Sequence, residues 1–190
     1  MTDLAEQRDL ETTVYQPAED SHLLARAATD RFGPGDCVLD VGCGSGIVAA
    51  AMADAGADVV ATDLNPHACR SAADRGLPAV RADLVTPFAS QAVDGVVCNP
   101  PYLPADPLAE RDDWMEVALT GGADGRAVID RFVETVGRVL RPDGVALLLV
   151  STLAGVDEVA EHAGAEGFSL AVVAEESYPF ETLTVLALVR

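Results

Sequence analysis

The 190-residue chain reads as an α/β protein of the doubly wound kind, and three observations carry that reading. From residue 37 onward, short runs rich in Val, Leu and Ala alternate with Ala-rich stretches of helical length. Several of these runs are apolar on both faces rather than alternating, which suits a sheet covered by helices on both sides. Most of them end in an acid, an asparagine or a glycine, residues that close a strand.

Taken in order, a first helix is expected over residues 19–32, with Glu19 and Asp20 in its first turn matched to the helix dipole. A strand over 37–41 runs into a glycine cluster and a helix over 46–55, and a strand over 58–62 precedes a helix over 66–74. Strands follow over 79–82 and 95–98, then a helix over 126–140, a strand over 145–150 and a helix over 156–166. Runs over 170–174 and 183–189 complete seven expected strands. Residues 100–125 break the rhythm with four prolines, tandem glycines and the sole tryptophan, Trp114, expected to be a packing anchor. A connection this long inside a compact domain is usually functional or disordered. Residues 1–12 are expected to form a loose tail and residues 13–190 a single domain.

Composition narrows the class. Hydrophobic residues make up 49% and aromatics only 5%, so the core must be aliphatic and disorder is excluded. Asp and Glu number 31 against 12 basic residues, all arginine, for a formal charge of -19. Such an acid excess keeps proteins soluble in concentrated salt, where screening over roughly 3 Å at 1 M removes self-repulsion. A halophilic source is expected; a GC-rich genome replacing Lys with Arg, combined with ordinary acidity, is the other explanation. No apolar run reaches membrane-spanning length and the N-terminus is polar and acidic, so a cytoplasmic location is expected. Cys37, Cys43, Cys69 and Cys98 form no C-x-x-C pair and have no histidine at ligand spacing, so free thiols and no metal are expected.

Chemistry concentrates in two clusters. The first is Asp40-Val-Gly42-Cys-Gly44-Ser-Gly46, where glycines allow a sharp turn and a close approach of backbone to ligand at a helix N-terminus. Ile47 stands where a nicotinamide fingerprint wants a third glycine, so that match is imperfect. Asp63 closes the second strand, about 20 residues on, where a carboxylate accepts ribose hydroxyl protons, and Asp83 closes the third, within reach of an adenine edge. Three strand-end acids repel a pyrophosphate and suit a ligand with a positive centre and an ammonium group; they also suit plain helix capping. The second cluster is Asn99-Pro100-Pro101-Tyr102. Its prolines fix the backbone and remove donors, so the Asn99 side chain and the Pro100 carbonyl can aim acceptors at one amino group, with Tyr102 as a flat face.

These residues resemble the class I S-adenosylmethionine-dependent methyltransferases that methylate planar nitrogens. Val14-Tyr-Gln-Pro-Ala-Glu-Asp20-Ser21 and Ala118-Leu-Thr-Gly-Gly-Ala-Asp-Gly125-Arg126 are similar to the compact eukaryotic and archaeal branch of the HemK-like release-factor glutamine methyltransferases. The resemblance implies a Rossmann-like, mostly parallel seven-stranded sheet with helices on both faces. It implies S-adenosylmethionine as cofactor, contacted by Ser21, Asp40, Gly42, Gly44, Gly46, Asp63, Asp83, Leu84 and Asn99. Asn99, Pro100, Pro101 and Tyr102 would hold the substrate glutamine, most naturally that of the GGQ motif of a class I release factor. It also implies a small activator subunit shared by methyltransferases of translation, for which the edge strand at residues 77–82, from Leu77 through Val80 to Ala82, is the expected dock. A nucleic-acid base is the rival acceptor, disfavoured by the absence of lysine and of a basic stripe. A cofactor-binding scaffold without catalysis is the remaining reading, and the intact Asn99 to Tyr102 cluster argues against it.

Overall fold

The computed structural model describes residue 14, residues 18–103 and residues 121–190. The expected loose tail, Trp114, Tyr15 to Pro17 and Ala118 to Thr120 lie outside the described residues. In chain order the elements are α1 (Glu19–Arg31), β1 (Cys37–Val41), α2 (Ile47–Asp54), β2 (Asp58–Asp63), α3 (Pro66–Asp74), β3 (Ala79–Arg81), β4 (Val93–Cys98), α4 (Ala127–Val136), β5 (Leu140–Ser151), α5 (Val156–Ala165), β6 (Ser169–Ser177) and β7 (Thr182–Val189).

The seven strands form one sheet in the order β3-β2-β1-β4-β5-β7-β6. The first five pair in parallel, and β7 runs antiparallel to both β5 and β6. The chain winds outward from β1 to β3, then returns to place β4 on the other flank of β1. That reversal leaves a crevice at the carboxyl ends of β1 and β4, where open α/β sheets bind ligands.

Two apolar layers cover the sheet, as the doubly apolar strands require. Leu24, Ala28 and Met52 from α1 and α2 pack on one face, and Ile129, Phe132 and Val136 from α4 pack on the other, all fully buried. Gly95 in β4 has a packing reason: a Cβ there would lie 2.3 Å from the ring of Phe32, which the end of α1 lays across the strand.

Most boundaries lie within a residue or two of the sequence reading, and two places shift further. The helix expected over 126–140 stops at Val136, and Leu140 already opens β5. Tertiary bonds end it: Ala92 and Val93 donate their amides to the Val139 carbonyl at 2.8 and 3.2 Å, and Arg138 donates to the carbonyls of Phe88 and Val85 at 2.6 and 2.8 Å. The run expected over 170–174 extends to Ser177 because β7 offers partners as far as Thr182. The strand expected as a dock does form a sheet edge. There Leu77 and Ala79 pack inward, Ala82 is buried and Val80 is exposed. Among the described residues, no helix is long and apolar enough to cross a membrane.

Candidate active site

The crevice is a cavity of about 240 Å³ walled by the carboxyl ends of β1, β2 and β4, the first turn of α1 and one flank of α4. Its floor is the glycine turn after β1. Gly42, Gly44 and Gly46 all sit at positive φ, 73°, 50° and 78°, a region that costs other residues about 1–2 kcal/mol. The turn is stitched to β2, since the amides of Gly42 and Cys43 both donate to the Thr62 carbonyl, at 2.8 and 3.0 Å.

Asp63 holds this turn from the side. Its Oδ2 accepts from the Gly44 amide at 3.0 Å and its Oδ1 from the Asn65 amide at 2.8 Å, which ties the glycine turn to the entry of α3. Burial raises its carboxyl above the ordinary carboxylate range, and these amides oppose the rise. Asp40 lies deeper, almost wholly buried, and accepts from the Ala49 amide of α2 at 3.0 Å. Burial pushes its carboxyl up to about 7, against the Ala49 bond and with some help from the Asp63 charge.

Asp83 is exposed at the far wall and meets a cation that the sequence reading did not place there: Arg131 of α4 donates to it at 2.6 Å. Next to it Leu84 takes φ of 50°, turning the chain back toward the cleft.

The opposite wall carries the Asn99-Pro100-Pro101-Tyr102 segment. The Asn99 Nδ2 donates to Oδ2 of Asp20 at 3.1 Å, while its Oδ1 is buried without a hydrogen-bond partner. An orphaned acceptor of this kind costs about 1–3 kcal/mol, and this one belongs to a residue that lines the cavity. Asp20 is buried rather than solvated, and its other oxygen accepts from the Ser21 amide at 2.6 Å and the Ser21 hydroxyl at 3.2 Å. The dipole reading therefore fits Glu19, which is exposed, and understates Asp20. Tyr102 is half-buried, and its hydroxyl is raised well above the ordinary tyrosine range by burial and then by the charges of Asp20 and Glu181.

The returning chain locks this wall in place. Gly121 donates its amide to the Leu103 carbonyl at 2.8 Å, and a Cβ on Gly125 would lie 2.4 Å from the Tyr102 carbonyl oxygen. Arg126 donates to the Ala154 carbonyl at 3.0 Å, anchoring the start of α4 to the connection between β5 and α5.

Of the residues singled out from sequence, Ser21, Asp40, Gly42, Gly44, Asp63, Asp83, Leu84, Asn99, Pro100, Pro101 and Tyr102 all line this one cavity. Gly46 does not: it caps α2, and its missing side chain clears the Ala72 backbone of α3, where a Cβ would stand 3.3 Å from Cα. Asp20, Asn65 and Arg131 line the cavity and were not singled out as cofactor or substrate contacts. Among the described residues that line the cavity, Asp20, Asp40, Asp63 and Asp83 are accompanied by one arginine, Arg131, itself paired with Asp83. Such a set of carboxylate acceptors fits a ligand with a sulfonium and an ammonium group and disfavours a pyrophosphate.

Comparison with known proteins agrees with this chemistry. A family model described as a methyltransferase domain matches residues 39–100. A Methanocaldococcus jannaschii protein named as a protein N5-glutamine methyltransferase is 33% identical over 184 residues, covering 93% of this chain and 92% of that protein. The human methyltransferase HEMK2 is 32% identical over 188 residues, covering 91% of this chain and 88% of its own length. The structure of the E. cuniculi Mtq2-Trm112 complex, responsible for methylating the translation termination factor eRF1, contains a similar chain. It superposes with a TM-score of 0.78 at 32% identity, covering 93% of this chain and 98% of that one. With the sheet order, the acid-lined crevice and relatives matched along nearly their whole length, the chain belongs to the HemK-like family of class I S-adenosylmethionine-dependent methyltransferases.

Proposed function

We propose that this protein methylates the side-chain amide nitrogen of a glutamine, in the GGQ motif of a class I translation release factor. The observation that carries the reading is the buried, unpartnered Oδ1 of Asn99 at the cavity wall, an acceptor placed for an N–H of the substrate. Support comes from the relatives, one named for N5-glutamine methylation and one solved in a complex that methylates eRF1. Coverage of nearly the full length of the archaeal and human relatives supports the compact branch.

S-adenosylmethionine, when bound, supplies an electrophilic methyl group on a positively charged sulfur. Asp63 and Asp83 would hold its ribose and adenine, with Leu84 beside the ring, and Asp40, Ser21, Gly42 and Gly44 would hold its amino-acid end. The buried carboxylates favour a cationic ligand because burial has already removed the water that would otherwise compensate their charge.

An amide nitrogen is a poor nucleophile because its lone pair is shared with its carbonyl. Asn99 Oδ1 and the Pro100 carbonyl would accept its two N–H bonds, keeping the lone pair directed along the line of attack. These bonds strengthen as positive charge develops on nitrogen, which is stabilisation of the transition state over the ground state. Bound S-adenosylmethionine would supply the methyl group and retain the sulfur–methyl bonding pair on sulfur, while Asn99 and Pro100 would hold the amide nitrogen in line and let its proton pass to water. Tyr102 packs as the flat wall against the planar amide.

The relative solved with Trm112 supports a small activator subunit here too, docking on the exposed edge of β3 at Val80. The charge of -19 belongs to the solvent in this reading, as expected of a halophilic source.

The deciding experiment incubates the protein, alone and with the activator, with labelled cofactor and a release factor whose GGQ glutamine is intact or replaced. Label that depends on that glutamine is the expected result. Label indifferent to it points to another acceptor, a nucleic-acid base being the first to examine.

A further inference from the structure

We infer that Asp20 is the positioning residue for Asn99: its buried carboxylate sets which end of the Asn99 amide faces the cavity. This rests on the proposed role of Asn99 and deepens it. The two ends of an amide side chain are nearly equal in size, so packing does not choose between them and hydrogen bonding does. An ionised carboxylate accepts and never donates, so Oδ2 of Asp20, 3.1 Å from Asn99 Nδ2, admits only the NH2 end. The oxygen is thereby left as the free end of the amide, buried and unpartnered, in a residue that lines the cavity.

Asp20 is itself held against rotation. It is 3% exposed, and its Oδ1 receives the Ser21 amide at 2.6 Å and the Ser21 hydroxyl at 3.2 Å. Ser21 belongs to the cofactor wall of the proposed site and Asn99 to the acceptor wall. One carboxylate therefore joins the two walls, with one oxygen on each, and places negative charge behind the Asn99 amide that would accept from the substrate nitrogen.

The arrangement orders the effects of substitution in a way that mere packing does not. In Asp20→Asn the backbone amide of Ser21 keeps the new side-chain oxygen, because a backbone donor cannot turn away. The new NH2 then faces Asn99, whose amide must flip and present its own N–H groups to the substrate nitrogen. In Asp20→Ala the Asn99 amide turns freely and samples the productive orientation part of the time. The isosteric variant is therefore the worse one. The double variant Asp20→Asn/Asn99→Asp exchanges carboxylate and amide, restoring both the internal bond and an acceptor facing the cavity.

The test measures kcat with the release factor, cofactor affinity by calorimetry, and the side-chain NH2 resonances of Asn99 in labelled full-length protein. Cofactor affinity is expected to change less than about fivefold, while kcat falls on the order of tenfold in Asp20→Ala and a hundredfold in Asp20→Asn. The exchange variant is expected to recover at least about tenfold over Asp20→Asn, part of the single-bond effect. The Asn99 NH2 signals are expected to shift in both single variants. Asp20→Asn as active as, or more active than, Asp20→Ala, with no recovery in the exchange variant, would reduce Asp20 to packing. Unchanged Asn99 resonances in Asp20→Ala would remove the contact altogether, whatever the acceptor. Shifted resonances in a protein that leaves the GGQ glutamine untouched would support the positioning and overturn the glutamine assignment alone.

Discussion

Asp40 makes proton traffic a direct report on cofactor binding. Its carboxyl sits at about 7 in the free protein, against an ordinary value of 3.8, because burial outweighs the single amide it accepts. A rise of about three pH units at about 1.4 kcal/mol each corresponds to about 4 kcal/mol disfavouring the charged form. A positive charge within about 4 Å is worth about 4 kcal/mol at an effective dielectric of 20, enough to cancel the rise. Cofactor binding at pH 7 is therefore expected to release about half a proton, approaching one near pH 5.5 and none near pH 8.5. Titration calorimetry in phosphate and in Tris at pH 7 reads this as enthalpies that differ by that fraction of the buffers' ionisation enthalpies. Affinity should fall about tenfold per pH unit below 7, and Asp40→Asn should flatten both effects while weakening binding. The same residue has a folding signature. Its folded value lies above its unfolded one, so its contribution to stability is fully present below about pH 4. It is lost as pH rises through about 7, and Asp40→Asn should be the more stable chain at pH 8 without cofactor. Equal enthalpies in the two buffers, with an affinity flat from pH 6 to 8, would refute a cation beside Asp40.

The remaining expectations concern chemistry, turns, edge and solvent. Asn99→Ala should bind cofactor within a few-fold of the parent yet lose about a hundredfold or more in turnover, and near-normal turnover would sink the assignment. Gly46→Ala, at φ of 78° and 3.3 Å from the Ala72 Cα, should cost about 1–2 kcal/mol and lower Tm by several degrees. Gly125→Ala is expected to do more, because a Cβ 2.4 Å from the Tyr102 carbonyl oxygen displaces the acceptor wall and so reduces kcat as well as Tm. Val80→Asp should abolish co-purification of the activator while leaving cofactor affinity unchanged, and retained co-purification would exclude the β3 edge. Raising KCl from 0.1 to 2 M should raise Tm, since the screening length shrinks from about 10 Å to below about 3 Å and relieves the charge of -19; a falling Tm would count against a halophilic origin.

What was legible in the sequence was what local chemistry encodes. The ends of β1 and α3 coincide with their expected limits because an acid, a glycine or a proline terminates each of them. The strand-end residues could be assigned together because parallel strands deliver their carboxyl ends to one side, whatever the packing. The limit of α4 was not legible. Val139 and Leu140 continue its apolar pattern, and only the bonds to Ala92, Val93, Phe88 and Val85 show that the helix has ended. Asp20 and Arg131 escaped for the same reason, their partners lying 79 and 48 residues away. Gly46 shows the converse: a residue inside a ligand-binding pattern can owe its identity to the helix packed behind it.

The bond from Gly121 to the Leu103 carbonyl ties the chain that follows Tyr102 to the chain that enters α4. Backbone atoms form it, and Gly125 packs beside it, where a Cβ would lie 2.4 Å from the Tyr102 carbonyl oxygen. The wall that carries Asn99 to Tyr102 is therefore anchored by main chain. Substitutions of the side chains around this tie leave it in place, whereas any residue larger than glycine at 125 pushes the wall and the helix start apart.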